Sequence, residues 1–170
     1  MLIVVDVESD GPVPPIYSMV SFGAVVVEPG LSRTFYGETA PISEKWIPEA
    51  LAISGIAREK HKTFKDPVTT MTEFKKWIDS LQIKGRPIFV SDNVAFDWQW
   101  INYYFHAYLG DNPFGFSGRR IGDIYSGCCR SLRAASDWKK MRKTKHTHHP
   151  VDDAKGNAEA LLEIINKYKL

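Results

Sequence analysis

The chain has 170 residues, 44% hydrophobic and 25% charged, which excludes a disordered chain or a fibrous repeat and predicts one globular domain over residues 1–170. The formal net charge is only +2, but residues 119–145 carry +7 and the rest of the chain −5, the footprint expected for a polyanion partner or for a solvated basic loop. Leu2–Val5 and Ala24–Val27, the longest apolar runs, are too short to span a bilayer, no secretion leader opens the chain, and Cys128 and Cys129 are adjacent, so no membrane partner is expected and both read as free thiols in a reducing cytoplasm.

Leu2–Glu8 is a β-branched run that predicts a buried strand ending in carboxylates. The proline-rich segment Gly11–Pro15 stops it. Met19–Val27 and Ser32–Glu38 read as an antiparallel hairpin turned at Pro29-Gly30. Residues 41–66 are irregular, with a short helix at Glu49–Ile53. Met71, Phe74, Trp77, Ile78 and Leu81 recur at helical spacing and predict a helix over Pro67–Leu81. Ile88–Val90 is a short strand, and Asp97–Leu109 a helix closed by Gly110. A strand near Arg120–Ile124, a helix and a basic loop are expected next. Asp152 is expected to cap a last helix with the stripe Ala154, Ala158, Leu161, Leu162, Ile165 and Tyr168. The whole is an α/β layered domain.

Asp6 and Glu8 are two apart on a strand, so both side chains leave the same face. Such a pair repels unless an arginine or a divalent cation lies between, and no arginine is near in sequence; oxygen ligands favour magnesium, calcium or manganese. Asp97 adds an acid where a strand gives way to a helix, and Asp152-Asp153 another pair at a helix start. His146, His148 and His149 crowd ahead of that pair, with no cysteine at zinc-finger spacing. Each cluster alone is compatible with a purely structural role. Their order, each at an element boundary, is not.

The pattern resembles the DEDD superfamily of 3′–5′ exonucleases in its histidine-bearing branch, DEDDh (the DnaQ-like and ribonuclease T-like group). The first family motif, Asp-x-Glu-Thr-Thr-Gly, stands here as Asp6-Val7-Glu8-Ser9-Asp10-Gly11. The second, His-Asn followed by Phe-Asp, stands as Asp92-Asn93-Val94-Ala95-Phe96-Asp97. The third, His with four residues before Asp-Ala, stands as His148 to Asp153-Ala154, which selects His148 over His149 and Asp153 over Asp152. The Gly-Ile segment after the first hairpin of relatives has a counterpart in Ala50–Ile56. Two departures are Ser9-Asp10 for the threonine pair beside the terminal nucleotide, and Asp92 for the histidine before Asn93.

The resemblance implies a ribonuclease H-like fold, a five-stranded mixed sheet flanked by helices, forming a single exonuclease domain. It implies two Mg²⁺ or Mn²⁺ ions, about 3.5–4 Å apart, held by Asp6, Glu8, Asp97 and Asp153, with His148 as general base. The substrate would be single-stranded RNA or DNA with a free 3′ end and the product a nucleoside 5′-monophosphate. RNA is favoured because a mycobacterial-type exoribonuclease group also departs from the common motifs. Ser9, Gly11, Asn93 and Phe96 are expected beside the terminal nucleotide, Phe96 equally as core. Arg142, Lys143 and Lys145 are expected to attract backbone phosphates, and Trp98, Trp100 and Trp138 to offer stacking surfaces or fill the core. Relatives are often homodimers. A haloacid-dehalogenase-like phosphatase is disfavoured because it needs a second Asp where Glu8 stands; a catalytically inactive nucleic-acid-binding module of the same fold is the remaining alternative.

Overall fold

The computed structural model describes residues 1–170. Its centre is a five-stranded sheet in the order β3-β2-β1-β4-β5, where β1 is Leu2–Ser9, β2 Met19–Val26, β3 Thr34–Glu38, β4 Ile88–Ser91 and β5 Gly118–Arg120. β1–β2 and β2–β3 are antiparallel, β1–β4 and β4–β5 parallel, giving the expected mixed sheet. The helices are α1 Pro48–Ile53, α2 Arg58–His61, α3 Pro67–Ser80, α4 Val94–Leu109, α5 Ile121–Cys129 and α6 Pro150–Tyr168. No helix is long and apolar enough to cross a membrane, and both cysteines are free thiols.

The strand period divides the core in two. Ile3, Val5 and Val7 of β1 face α3 and α4, joining Met71, Phe74, Trp100, Ile101 and Tyr104. Val4, with Val25 and Val90, faces the other way, onto Ile121, Trp138, Ala154, Ala158 and Leu161. Asp6 and Glu8 have the parity of Val4, so they continue that second face past the point where apolar packing ends.

Several boundaries differ from expectation for local reasons. α4 starts at Val94, three residues early, so Asp97 lies in its first turn rather than at its end. α6 starts at Pro150, whose missing N–H suits the first helical position, so Asp152 is not the cap; both aspartates lie in the first turn, where the helix dipole favours negative charge. The α6 stripe also takes in Asn157, Ala160 and Ile164, while Leu162, Ile165 and Tyr168 are only half-buried. The predicted strand at 120–124 is helix from Ile121 on; the strand is Gly118–Arg120, paired to Phe89–Ser91. Ile121, Ile124, Tyr125 and Cys128 follow the three-and-four spacing of a helix face against the sheet.

The basic segment is not a free loop. It forms two 3-10 turns, Leu132–Ala134 and Asp137–Met141, and Trp138 in the second is fully buried against α6. Trp100 is equally buried, so Trp100 and Trp138 fill the core rather than offering stacking surfaces, while Trp98 is half-buried and packs edge-on against Phe89 at 5.1 Å between ring centroids.

Candidate active site

Three acids from two elements converge at one end of the sheet. Oxygens of Asp6, Glu8 and Asp153 all lie within 4.8 Å of one another. β1 supplies the first two through its alternation; α6 supplies the third because its start lies directly on β2. Gly23 of β2, the cross-strand partner of Asp6, makes this approach possible: a Cβ there would stand 2.4 Å from the Pro150 carbonyl carbon and the Val151 nitrogen. A glycine inside a β-branched strand is a sequence signal for close backbone approach, and it is one the motif comparison passes over.

Asp97 reaches the same end of the sheet from its other face. The register of β1 with β4 ends at Val4–Val90, which leaves the Val7 N–H without a strand partner on that side; it donates to Asp97 Oδ1 at 3.1 Å. Asp97 thus stands just outside the trio, and its charge is the largest of those acting on Asp6.

Asp153 is the most heavily bonded of the four. Its Oδ1 accepts from Arg142 at 2.9 Å and from the Thr147 N–H at 3.2 Å; its Oδ2 accepts from the His148 N–H at 2.9 Å and lies 2.6 Å from His146 Nδ1. The chain before α6 is therefore wrapped around one buried carboxylate. His148 adopts a left-handed backbone (φ +60°), and its half-exposed ring lies with Nδ1 3.9 Å from Glu8 Oε1. His149 turns away and stacks on Tyr36.

The electrostatics are those of carboxylates short of positive charge. Burial, and then the charges of Asp97, Glu8 and Asp153, raise Asp6 well above the ordinary carboxylate range, against the pull of Arg142. Burial and then Asp153 push Glu8 up to about 7. Burial pushes Asp97 up to about 8 in spite of the bond from Val7. Such a set gains from any hard cation placed among its oxygens, and its all-oxygen chemistry fits magnesium or manganese.

Beside Glu8 opens a groove of about 370 Å³ lined by Ser9, Gly11, Pro12, Ile47, Ala50, Ile53 and Phe96. It brings together Ser9, Gly11 and Phe96 of the expected nucleotide neighbours. Gly11 has no room for a side chain, because a Cβ would meet the Tyr17 ring at 2.2 Å. Asn93 is exposed at the start of α4 and does not line the groove. Phe96 is half-buried, its ring edge-on to Trp100, so it serves both core and groove.

Other expectations are redirected. Arg142, expected to attract phosphates, is turned inward onto Asp153 with its side chain 12% exposed, and it supplies the cation that the sequence did not place near these acids. Lys143 and Lys145 are exposed. Asp10, which stands where relatives have a threonine beside the terminal nucleotide, is wholly buried, accepting from the Ser18 N–H at 2.5 Å and from Arg58 at 2.7 Å, with His61 at 3.8 Å. Asp92 pairs with Lys139 at 2.7 Å, tying the basic segment to the end of β4. Gly23 and the roles of Arg142 and His146 are the features that motif reading missed.

A sheet in this order, with carboxylates from β1, α4 and α6 gathered at one end and an imidazole beside them, defines the ribonuclease H-like class of DEDDh nucleases. The chain is 43% identical over 171 residues to the 3′–5′ DNA exonuclease Cap18 of Escherichia coli, a match that covers 96% of this chain and 90% of that protein. Among solved structures it resembles the nuclease domain of 3′hExo, a DEDDh family member bound to rAMP (TM-score 0.79, 15% identity, 98% of this chain and 92% of that one). It also resembles cell-death related nuclease 4 (TM-score 0.77, 15% identity, 98% and 64%) and E. coli exonuclease I in complex with a dT13 oligonucleotide (TM-score 0.69, 14% identity, 96% and 40%). No family model matches. The chain belongs to the DEDDh family of 3′–5′ exonucleases and is an enzyme of that class.

Proposed function

We propose that this enzyme removes nucleoside 5′-monophosphates one at a time from the 3′ end of single-stranded DNA. The observation that carries the reading is the convergence of Asp6, Glu8 and Asp153 within 4.8 Å, with the His148 ring beside Glu8 at the mouth of an apolar groove. DNA is chosen over the RNA expected from the motif departures because the relative at 43% identity is named a DNA exonuclease.

Asp6, Glu8, Asp97 and Asp153 would hold two Mg²⁺ or Mn²⁺ ions, which when bound neutralise the charge that develops on the scissile phosphate. The groove takes the terminal nucleotide: Ile47, Ala50, Ile53 and Phe96 cover the base, while Ser9 and Gly11 let the backbone come close to the sugar. Asp97, fixed by Val7, and Asp153, fixed by Arg142 and two backbone N–H groups, orient the acidic end of the site before substrate arrives. His148, whose ring lies beside Glu8, takes the proton of the attacking water at its imidazole. The water oxygen bonds to phosphorus, the bond to the upstream 3′ oxygen breaks, and the departing oxygen takes a proton from solvent, leaving a shortened strand with a new 3′ hydroxyl and a free nucleoside 5′-monophosphate. Lys143 and Lys145, exposed ahead of His148, steer upstream phosphates.

The test uses 5′-labelled single-stranded DNA and RNA of one sequence with Mg²⁺ or Mn²⁺, comparing wild type with Asp6→Asn and His148→Ala. A metal-dependent ladder shortening from the 3′ end, faster on DNA and lost in both variants, is the expected result. Binding without shortening under any metal would instead establish the inactive binding module, and faster loss of RNA would reverse the choice of sugar.

A further inference from the structure

Beside the oxygen-only trio, and sharing Asp153 with it, a second group of ligating atoms converges. His146 and His148 each bring a ring nitrogen, and Asp153 a carboxylate oxygen, all within 4.8 Å of one another. The two imidazoles lie side by side with ring centroids 4.3 Å apart, and both rings are more than half or half exposed while the Asp153 side chain is 1% exposed. His148 has a left-handed backbone just ahead of α6, and the N–H groups of Thr147 and His148 both donate to Asp153.

We propose that His146, His148 and Asp153 form a second metal site, overlapping the oxygen-only cluster at Asp153, for a borderline transition-metal ion, with Zn²⁺ the best fit, whose occupation switches off hydrolysis. Two imidazoles and one carboxylate are a nitrogen-rich set that suits Zn²⁺ and poorly suits Mg²⁺. Ligand atoms around a tetrahedral zinc stand about 3.3 Å apart for bonds of about 2.0–2.1 Å. Opening the 2.6 Å His146–Asp153 contact to that spacing needs only rotation of an exposed ring. Water fills the fourth position. An ion held there would engage the His148 imidazole and one Asp153 oxygen, and so compete with the oxygen-only cluster that shares Asp153. The inhibitory consequence rests on the function proposed above; the site itself does not.

The two parts are tested separately. The metal-free protein is titrated with Co²⁺ and its visible absorption recorded, in wild type and in His146→Asn, which keeps a hydrogen-bonding amide beside Asp153 but loses the imidazole. Expected are a four-coordinate Co²⁺ band in wild type, displacement by Zn²⁺ but not by excess Mg²⁺, and affinity in the variant weaker by more than the about 10–100-fold that loss of an outer-shell partner costs. Thermal melts check that the variant is folded, and His148→Asn provides a second ligand deletion if it is not. Equal Co²⁺ affinity in wild type and both variants, or full displacement by Mg²⁺, would overturn the site. In the second arm, Zn²⁺ is added to Mg²⁺-supported DNA hydrolysis. Inhibition that needs more than about tenfold more Zn²⁺ in His146→Asn than in wild type, beyond what loss of an outer-shell partner alone need cost, supports the switch; equal inhibition of both overturns it. If Mg²⁺ supports no hydrolysis at all, the functional reading fails while the Co²⁺ spectra still decide the site.

Discussion

Asp6 and Gly23 face each other across the β1–β2 pair, and the space a side chain on Gly23 would need is filled by the backbone of Pro150 and Val151. The missing side chain on one strand is therefore what lets α6 deliver Asp153 to the carboxylate on the next.

Gly23→Ala is expected to push the start of α6 off the sheet. The obstruction is backbone, which cannot swing aside as a side chain can, so overpacking of about 1–3 kcal/mol is expected. Activity should fall further than stability, by about 100-fold, since a displacement of about 1 Å at a catalytic constellation has that effect. Urea melts and kcat measured on the same preparation check this; a variant with wild-type kcat would show that α6 is not positioned by this contact.

The raised carboxylates set a pH dependence with a definite sign. Glu8 goes from 4.5 to about 7 and Asp97 from 3.8 to about 8 on folding. A folded pKa above the unfolded one contributes stability that is complete below the unfolded value and is lost as pH rises through the folded value, at up to about 1.4 kcal/mol per pH unit for each group. His61, lowered to about 4 by burial and by Arg58, acts in the opposite sense and only below its ordinary 6.5. Above pH 6.5 the metal-free protein should therefore lose stability, more steeply up to about pH 7, where Glu8 and Asp97 both contribute, and then more gently to about pH 8 through Asp97 alone, and Mg²⁺ or Mn²⁺ should restore it. Asp97→Asn keeps an acceptor for the Val7 N–H, so it should melt higher than wild type at pH 8 while losing activity. Thermal midpoints across that range with and without metal decide it; a flat metal-free profile would count against the crowding.

Arg58→Met should destabilise without touching chemistry. The guanidinium bridges Asp10 and the Ser43 carbonyl in a buried site, so its removal leaves a buried carboxylate unpaired. A loss of about 3–5 kcal/mol is expected, while the fraction still folded at low temperature cleaves DNA at the wild-type rate. A changed sugar preference in that variant would place Asp10 beside substrate after all.

Ile53→Ala tests the groove. The side chain is 53% exposed on the groove wall, so its loss should hardly alter the melting temperature. Losing about 1.5 kcal/mol of apolar contact with the terminal base should raise KM about tenfold and leave kcat near wild type. A fall in kcat at constant KM would contradict a binding role for this wall.

Much of this molecule was written locally. Period-two alternation in β1 put Asp6 and Glu8 on one face, and the helical stripe of α3 followed from Met71, Phe74 and Ile78. Gly110 marked the end of α4, and Pro150 marks the start of α6 better than the expected Asp152 cap does, because positive φ and ring closure constrain the backbone more strongly than a charge does. The short strand β5 was misplaced because three residues carry too little pattern to tell a strand end from a helix start.

The acidic residues, their order and the spacing of His148 from Asp153 are properties of the sequence alone, since each depends on neighbours a few positions away. Which partner each acid meets was decided only by the tertiary structure. Asp97 meets the N–H of Val7, 90 positions distant, because β4 ends early; Arg142 meets Asp153 because Trp138 anchors the basic segment against α6; Asp10 meets Arg58, 48 positions on, inside the protein rather than beside a nucleotide. These contacts follow from sheet register and helix docking, which satisfy buried polar groups across the whole chain at once, and no local window of sequence contains that accounting.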